Sequence, residues 1–307
     1  MTWLRWVRAA ATGCMALWGC VQAQPLFHEV QLPAREAGQR IVALEREPLE
    51  PPLRYRVIVL PGSGCTGMKP VADRYFAGLL HAQVLMLHKP GVDVHAGLQP
   101  AQCSEDFLQG DHLKGWLADV RSALQADALL RAGQRSVPQL LVGISEGAEL
   151  LLGAAPEVPH LAGLVLVSGS GLDPVESGEL QARRVGQLSA WQALERAQRS
   201  DLAGHMVREG RSLQYWRDLW GWRQSDALIA SRWPLLQAWG DADALLPAQA
   251  FEQFAQRAQG RRAPWCSRRM AGADHGLQHP DFDGIQRLWA WLENWARSQP
   301  RDLCAAS

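Results

Sequence analysis

Lysine is almost missing from this chain. Lys69, Lys89 and Lys114 are its only lysines, so nearly all of the 31 basic residues are arginine. That bias follows genome composition rather than function. Acidic residues also number 31, and the formal net charge is zero. This leaves no basic field of the kind that draws nucleic acid. There is no C-x-x-C pair and no Cys/His cluster, so nothing points to a metal. The phosphate-cradling pattern G-x-x-x-x-G-K-[ST] is absent, which argues against nucleotide binding. Past the first residues no apolar run is long enough to cross a bilayer. No internal repeat or low-complexity tract occurs.

What remains is ordinary globular composition, 47% hydrophobic and 20% charged over 307 residues. That length suits one large α/β domain or two smaller ones. The opening "MTWLRWVRAAATGCMALWGCVQAQP" is different. It carries Arg5 and Arg8, then a mostly apolar run from Ala9 to Val21, then Val21-x-Ala23. This is the pattern of a secretory signal peptide over residues 1–23, cleaved after Ala23. It predicts an exported, periplasmic or extracellular protein with no membrane span. A lipoprotein signal lipidated at Cys20 is the alternative, although Trp18 fits that box badly.

Export changes the reading of the cysteines. Cys65, Cys103, Cys266 and Cys304 remain after cleavage, an even number in an oxidising compartment. Three pairings are possible. Cys65–Cys103 with Cys266–Cys304 closes the shortest loops and is the expected one. Four free, partly buried thiols are the alternative.

Short apolar runs then recur along the chain. They are "RIVALE" from Arg40, "YRVIVL" from Tyr55, "QVLMLH" from Gln83, "PQLLVGIS" from Pro138, "LAGLVLVSG" from Leu161, "PLLQAWG" from Pro234 and "WCSRRM" from Trp265. Helical patterns fall between them. One opens near Asp111 with Leu113, Trp116, Leu117, Val120 and Leu124 on one face; the last opens at Asp281. Continuous apolar runs alternating with helices mean parallel strands covered on both faces, a doubly wound α/β sheet. Residues 173–233 break this rhythm. They are helical in pattern, rich in Arg and Trp, and hold no buried-strand run, so they are expected to form a helical cap.

"LLVGISEGAELLLGAA" carries the chemistry. Ser145 stands between Gly143 and Gly147, directly after a buried strand and directly before a helix. A serine on so sharp a turn stands over the sheet edge, and the helix N-terminus behind it offers free N–H groups to a developing oxyanion. With "LPGSG" at 60–64, "GDADALLP" at 240–247 and "GADHG" at 272–276, the chain resembles the α/β-hydrolase superfamily over roughly Ile41 to Trp295. The resemblance implies an α/β-hydrolase fold for residues 24–307. It implies Ser145 as nucleophile, Asp243 as acid and His275 as base, in the order nucleophile, acid, base. Asp241 and the more distant Asp173 rival Asp243, and His279 rivals His275. A serine hydroxyl becomes nucleophilic only when a base takes its proton, and a carboxylate must hold that imidazole in the right tautomer.

The same resemblance puts an oxyanion hole at the backbone N–H groups of Glu146 and Ser63, with Gly64 and Cys65 as neighbouring alternatives. Where many relatives have His-Gly, this chain has Pro61-Gly62. His28, His81, His112, His160 and His205 are expected to be surface or packing residues, and His88, which ends a strand on the active edge, is a lesser candidate for the pocket. Leu213, Trp216, Leu219 and Trp220 form a stripe that either packs the cap or walls a substrate. Arg183, Arg184, Arg208 and Arg211 suit a solvated face, or an acidic substrate.

The implied function is an exported serine hydrolase acting on a small-molecule carboxylic ester or related acyl bond, with no metal or organic cofactor. A peptidase or thioesterase with the same residues is the alternative within enzymes. A non-catalytic binding protein of the same fold is the alternative outside them.

Overall fold

The computed structural model describes residues 26–97, 103–298 and 302–305. The segment expected to be a signal peptide, with Cys20, lies outside them. Among the described residues twelve strands run in chain order: β1 His28–Pro33, β2 Arg40–Arg46, β3 Tyr55–Leu60, β4 Ala82–Leu87, β5 Gln139–Ile144, β6 Leu161–Val167, β7 Val207–Arg208, β8 Arg211–Ser212, β9 Leu235–Gly240, β10 Trp265–Met270, β11 Gln278–His279 and β12 Phe282–Asp283. Eight of them form one sheet in the order β1-β2-β4-β3-β5-β6-β9-β10. Pairing is antiparallel from β1 to β2 and from β2 to β4. It is parallel through the remaining strands.

Among the described residues the α-helices are α1 Lys69–Tyr75, α2 Glu105–Gly110, α3 Leu113–Leu130, α4 Gly147–Ala154, α5 Pro174–Arg184, α6 Leu188–Gln198, α7 Leu213–Gly221, α8 Ser225–Ala230, α9 Ala248–Ala258 and α10 Gly284–Ser298. The apolar runs are continuous because both sheet faces are covered. In β3, Ile58 and Leu60 turn to a core shared with Trp116 of α3, Leu150 of α4 and Phe254 of α9. Val57 and Val59 turn to the opposite core, with Phe76 after α1 and Leu288 and Trp289 of α10. Successive side chains in a strand point to opposite faces, so each run feeds two cores.

Two predicted helix starts move. Asp111 does not cap α3. Asp218, from α7, accepts the Lys114 N–H at 2.9 Å and lies 2.7 Å from His112 Nδ1. Asp111 is drawn instead to cations, described below. The last helix is capped by Asp283, not Asp281: its Oδ1 accepts the N–H groups of Ile285 and Gln286. The cap residue of α3 is His112, whose Nδ1 accepts the Gly115 N–H at 3.2 Å, and that of α10 is Asp283; each lies one residue before its helix, where a side chain reaches the free amides of the first turn.

Between β6 and β9 the chain forms α5 to α8 and the β7–β8 hairpin, with no strand of the main sheet. Trp191 of α6 stacks on Trp220 of α7 at 4.6 Å between ring centroids, and Trp216 meets both edge-on. The Trp stripe therefore packs α6 against α7. No helix among the described residues is long and apolar enough to cross a membrane. Cys65 bonds to Cys103 and Cys266 to Cys304, with Cα separations of 5.7 and 5.5 Å.

Candidate active site

The turn from β5 into α4 is tight enough to dictate its residues. Ser145 takes φ of 52°, a left-handed conformation that a non-glycine residue adopts at a cost. A Cβ on Gly143 would sit 2.5 Å from the Ala148 Cα, and one on Gly147 would sit 2.2 Å from the Leu60 carbonyl oxygen. Both positions therefore require glycine. The Ser145 N–H donates to the Val167 carbonyl at 2.8 Å, which fixes the turn on β6.

Three side chains from three loops converge there. Ser145 Oγ lies 2.9 Å from His275 Nε2, and His275 Nδ1 lies 2.7 Å from Asp243 Oδ2. Asp243 is 2% exposed, and its other oxygen accepts the N–H groups of Leu245 and Leu246 at 2.7 and 2.9 Å. The carboxylate is thus held from one side while it faces the imidazole from the other. That contact makes Nδ1 the protonated nitrogen and leaves Nε2 free to accept the serine proton.

The rivals are occupied elsewhere. Asp241 binds Arg269 and the Gly272 N–H, and those bonds lower its carboxyl below the usual range. Asp173 accepts the N–H groups of Gln224 and Ser225, before and at the start of α8. His279 stacks on Phe282 at 4.7 Å. His88 is buried away from Ser145. Its Nε2 accepts the Met68 N–H at 3.2 Å, and its Nδ1 faces the Val42 carbonyl at 3.3 Å. Burial pushes its pKa down to about 4.

The loop after β3 lies against the turn. A Cβ on Gly62 would be 3.2 Å from the Ser145 Cβ and 3.8 Å from its Oγ. Among the described residues, neither the Ser63 nor the Glu146 N–H has a protein acceptor. The Cys65–Cys103 bridge ties the end of this loop to the segment leading into α2. Among the described residues no group of three or more His, Cys, Asp or Glu is placed to hold a metal ion.

Several neighbours escaped sequence reasoning. Ser168, at φ of 51°, donates from Oγ to the His275 carbonyl at 2.6 Å. Its position just past β6 was the available signal. The four arginines split. Arg183 is solvated and pairs with Glu179, and Arg208 is exposed. Arg184 instead donates to the carbonyls of Asp243 and Ala244, both at 2.7 Å. Arg211 enters a buried charge cluster, so neither a solvated face nor an acidic ligand describes it.

That cluster surrounds the side chain of Glu146. Lys89 Nζ donates to Glu146 Oε1 and, at 2.7 Å, to Asp111 Oδ1; Arg211 donates to Asp111 Oδ2. The Tyr215 hydroxyl donates to Glu146 Oε2 at 2.7 Å, and the Arg211 guanidinium lies over the Tyr215 ring. Burial raises the Glu146 carboxyl, but Lys89, Arg211 and Tyr215 outweigh it and hold the group below its ordinary range. Two cations balance two anions. No sequence motif announced this cluster, because its members come from four separate segments.

No protein-family model matches this chain, and no curated protein matches it. Solved structures do. A puromycin-hydrolysing peptidase of Mycobacterium tuberculosis aligns at TM-score 0.61 and 14% identity, over 91% of this chain and 40% of that one. This chain thus spans well under half of that peptidase. The esterase domain of a Rhodothermus marinus protein aligns at TM-score 0.54 and 18% identity, over 89% of this chain and 98% of that one. Mouse α/β hydrolase domain-containing protein 10 aligns at TM-score 0.55 and 18% identity, over 89% of this chain and all of that one. Such identities speak for architecture, and the mostly parallel eight-stranded sheet of this chain has the α/β-hydrolase fold.

Proposed function

We propose that the protein is an exported serine hydrolase that cleaves a carboxylic ester or related acyl bond through an acyl-Ser145 intermediate. One observation carries the reading: the unbroken hydrogen-bonded line from Ser145 Oγ through His275 to the buried Asp243 carboxylate. His275 Nε2 takes the hydroxyl proton as Oγ attacks the carbonyl carbon, and returns it to the leaving oxygen as the acyl bond breaks. Asp243 keeps the tautomer and stabilises the imidazolium. The N–H groups of Glu146 and Ser63 are assigned to the oxyanion, with the N-terminus of α4 adding its partial positive charge. Water, activated by the same His275, then hydrolyses the acyl-enzyme. Export rests on the N-terminal signal pattern, and the two disulfides suit an oxidising compartment.

A peptide bond is the second reading, favoured by the likeness to the peptidase. A fluorophosphonate probe tests the shared core. We expect labelling at Ser145, lost in Ser145→Ala and slowed by orders of magnitude in Asp243→Asn. A folded protein that takes no label would defeat the enzyme reading and leave a non-catalytic binding protein. Ester and peptide substrates then separate the two readings.

A further inference from the structure

A cavity of about 490 Å3 opens beside His275. Its walls are apolar: Met68, Val71 and Tyr75 at and before α1, Met86 at the end of β4, Ile144 at the end of β5, and Ile285 in α10. Gly62 and His275 form its edge toward Ser145. None of its lining residues comes from the segment between β6 and β9.

The cavity bears no buried, unsatisfied charge. Arg74, which also lines it, is exposed. The Asp283 carboxylate is engaged by amides at the start of α10 and by Gln278. A space of this size is within the range of small-molecule sites and far above the small voids of a packed core. Water gains few partners among such walls, whereas an apolar group gains contact. Met68 and Met86 can adapt to its shape. The wall is also braced, because the Met68 N–H is held by buried His88.

We propose that this cavity receives an uncharged apolar chain of the substrate, so that chain-length selectivity is set by α1 and α10 and not by the Trp-rich insertion. This rests on the hydrolase reading above, and deepens it. None of the cavity's lining residues belongs to the cluster of Lys89, Asp111, Glu146 and Arg211, whose charges are paired with one another.

The test uses two series of uncharged esters, one lengthened on the acyl side from acetyl to octanoyl, the other on the alcohol side. In at least one, kcat/KM should rise by about fourfold per methylene over the first additions, the ratio equivalent to ~0.8 kcal/mol. Val71→Trp fills the cavity and should cut the long-to-short ratio at least tenfold; Met68→Trp is an independent second filling. Trp216→Ala, in the insertion, should change that ratio less than twofold. A wild-type protein indifferent to chain length, fillings that leave the ratio intact, or a ratio that collapses in Trp216→Ala would each overturn the proposal. Calorimetric binding of 1-octanol, tight in wild type and lost in Val71→Trp, reads the cavity without catalysis. Fluorophosphonate labelling of wild type keeps the two readings apart. An unlabelled protein that still binds octanol sinks the hydrolase reading alone, and a labelled one without octanol binding sinks the cavity alone.

Discussion

The two flanks of Ser145 are built from opposite chemistry. On one side Lys89, Asp111, Glu146, Arg211 and Tyr215 form a buried and mutually paired polar cluster. On the other, Met68, Val71, Met86, Ile144 and Ile285 surround open space. The charged flank joins the β4 and α2–α3 loops to Ser145's neighbour and to the insertion, and its charges are satisfied by each other. The apolar flank has unspent contact surface. Buried charges tolerate only well-defined partners, so they suit holding; an apolar cavity accepts any chain that fits, so it suits recognition.

The sharpest way to break this contrast is Lys89→Met. It removes the cation that bridges two buried carboxylates, leaving Asp111 to Arg211 and Glu146 to Tyr215, and removing one partner of a buried ion pair typically costs about 3–5 kcal/mol. Urea denaturation should register a loss of that order. A change below about 1 kcal/mol, the scale of an exposed ion pair, would mean that the cluster does not hold the insertion down.

The apolar flank is tested next, through His88. Its folded-state pKa is depressed from 6.5 to about 4 by burial. The stability linked to its neutral form is therefore in place above pH 6.5 and is lost as pH falls through about 4. At 1.36 kcal/mol per pKa unit this amounts to about 3 kcal/mol between pH 7 and pH 4. His88→Gln should remove that portion of the acid destabilisation, measured as the difference between the two proteins' unfolding free energies across the range. Parallel curves would refute the buried, neutral imidazole.

The smallest expected effect is Tyr215→Phe. It deletes the hydroxyl that donates to Glu146 Oε2 and should cost about 1.5–3 kcal/mol, as for a hydrogen bond to a charged group. Combined with Lys89→Met, its effect should fall short of additive, because both substitutions act on the same carboxylate. Full additivity would separate the insertion from the cluster.

Much of the fold was legible in the chain. The run "YRVIVL" coincides with β3, because a central strand buried on both faces is apolar along most of its length; "WCSRRM" coincides with β10, an edge strand only partly buried, which keeps Ser267, Arg268 and Arg269. The two cysteine pairs were legible through loop length. Helix starts were less so. Asp111 and Asp281 look like capping residues, but the free amides of α3 are met by His112 and Asp218, and those of α10 by Asp283. Arg211 was indistinguishable from its exposed neighbours, since a charged residue's burial depends on partners distant in the chain.

By itself, then, the amino-acid order determined the alternation of buried runs and helices, the glycines that the turn at Ser145 requires, and three residues in an order compatible with acyl chemistry. Local sterics and burial periodicity act over a few residues, and such constraints are written locally. The tertiary structure decided which carboxylate meets His275, that Glu146 is held by Lys89 and Tyr215, and that open apolar space lies against α1 and α10. These contacts join groups 32, 57, 69 and 130 positions apart. They depend on how loops from separate strands converge over one sheet edge, which no stretch of sequence states alone.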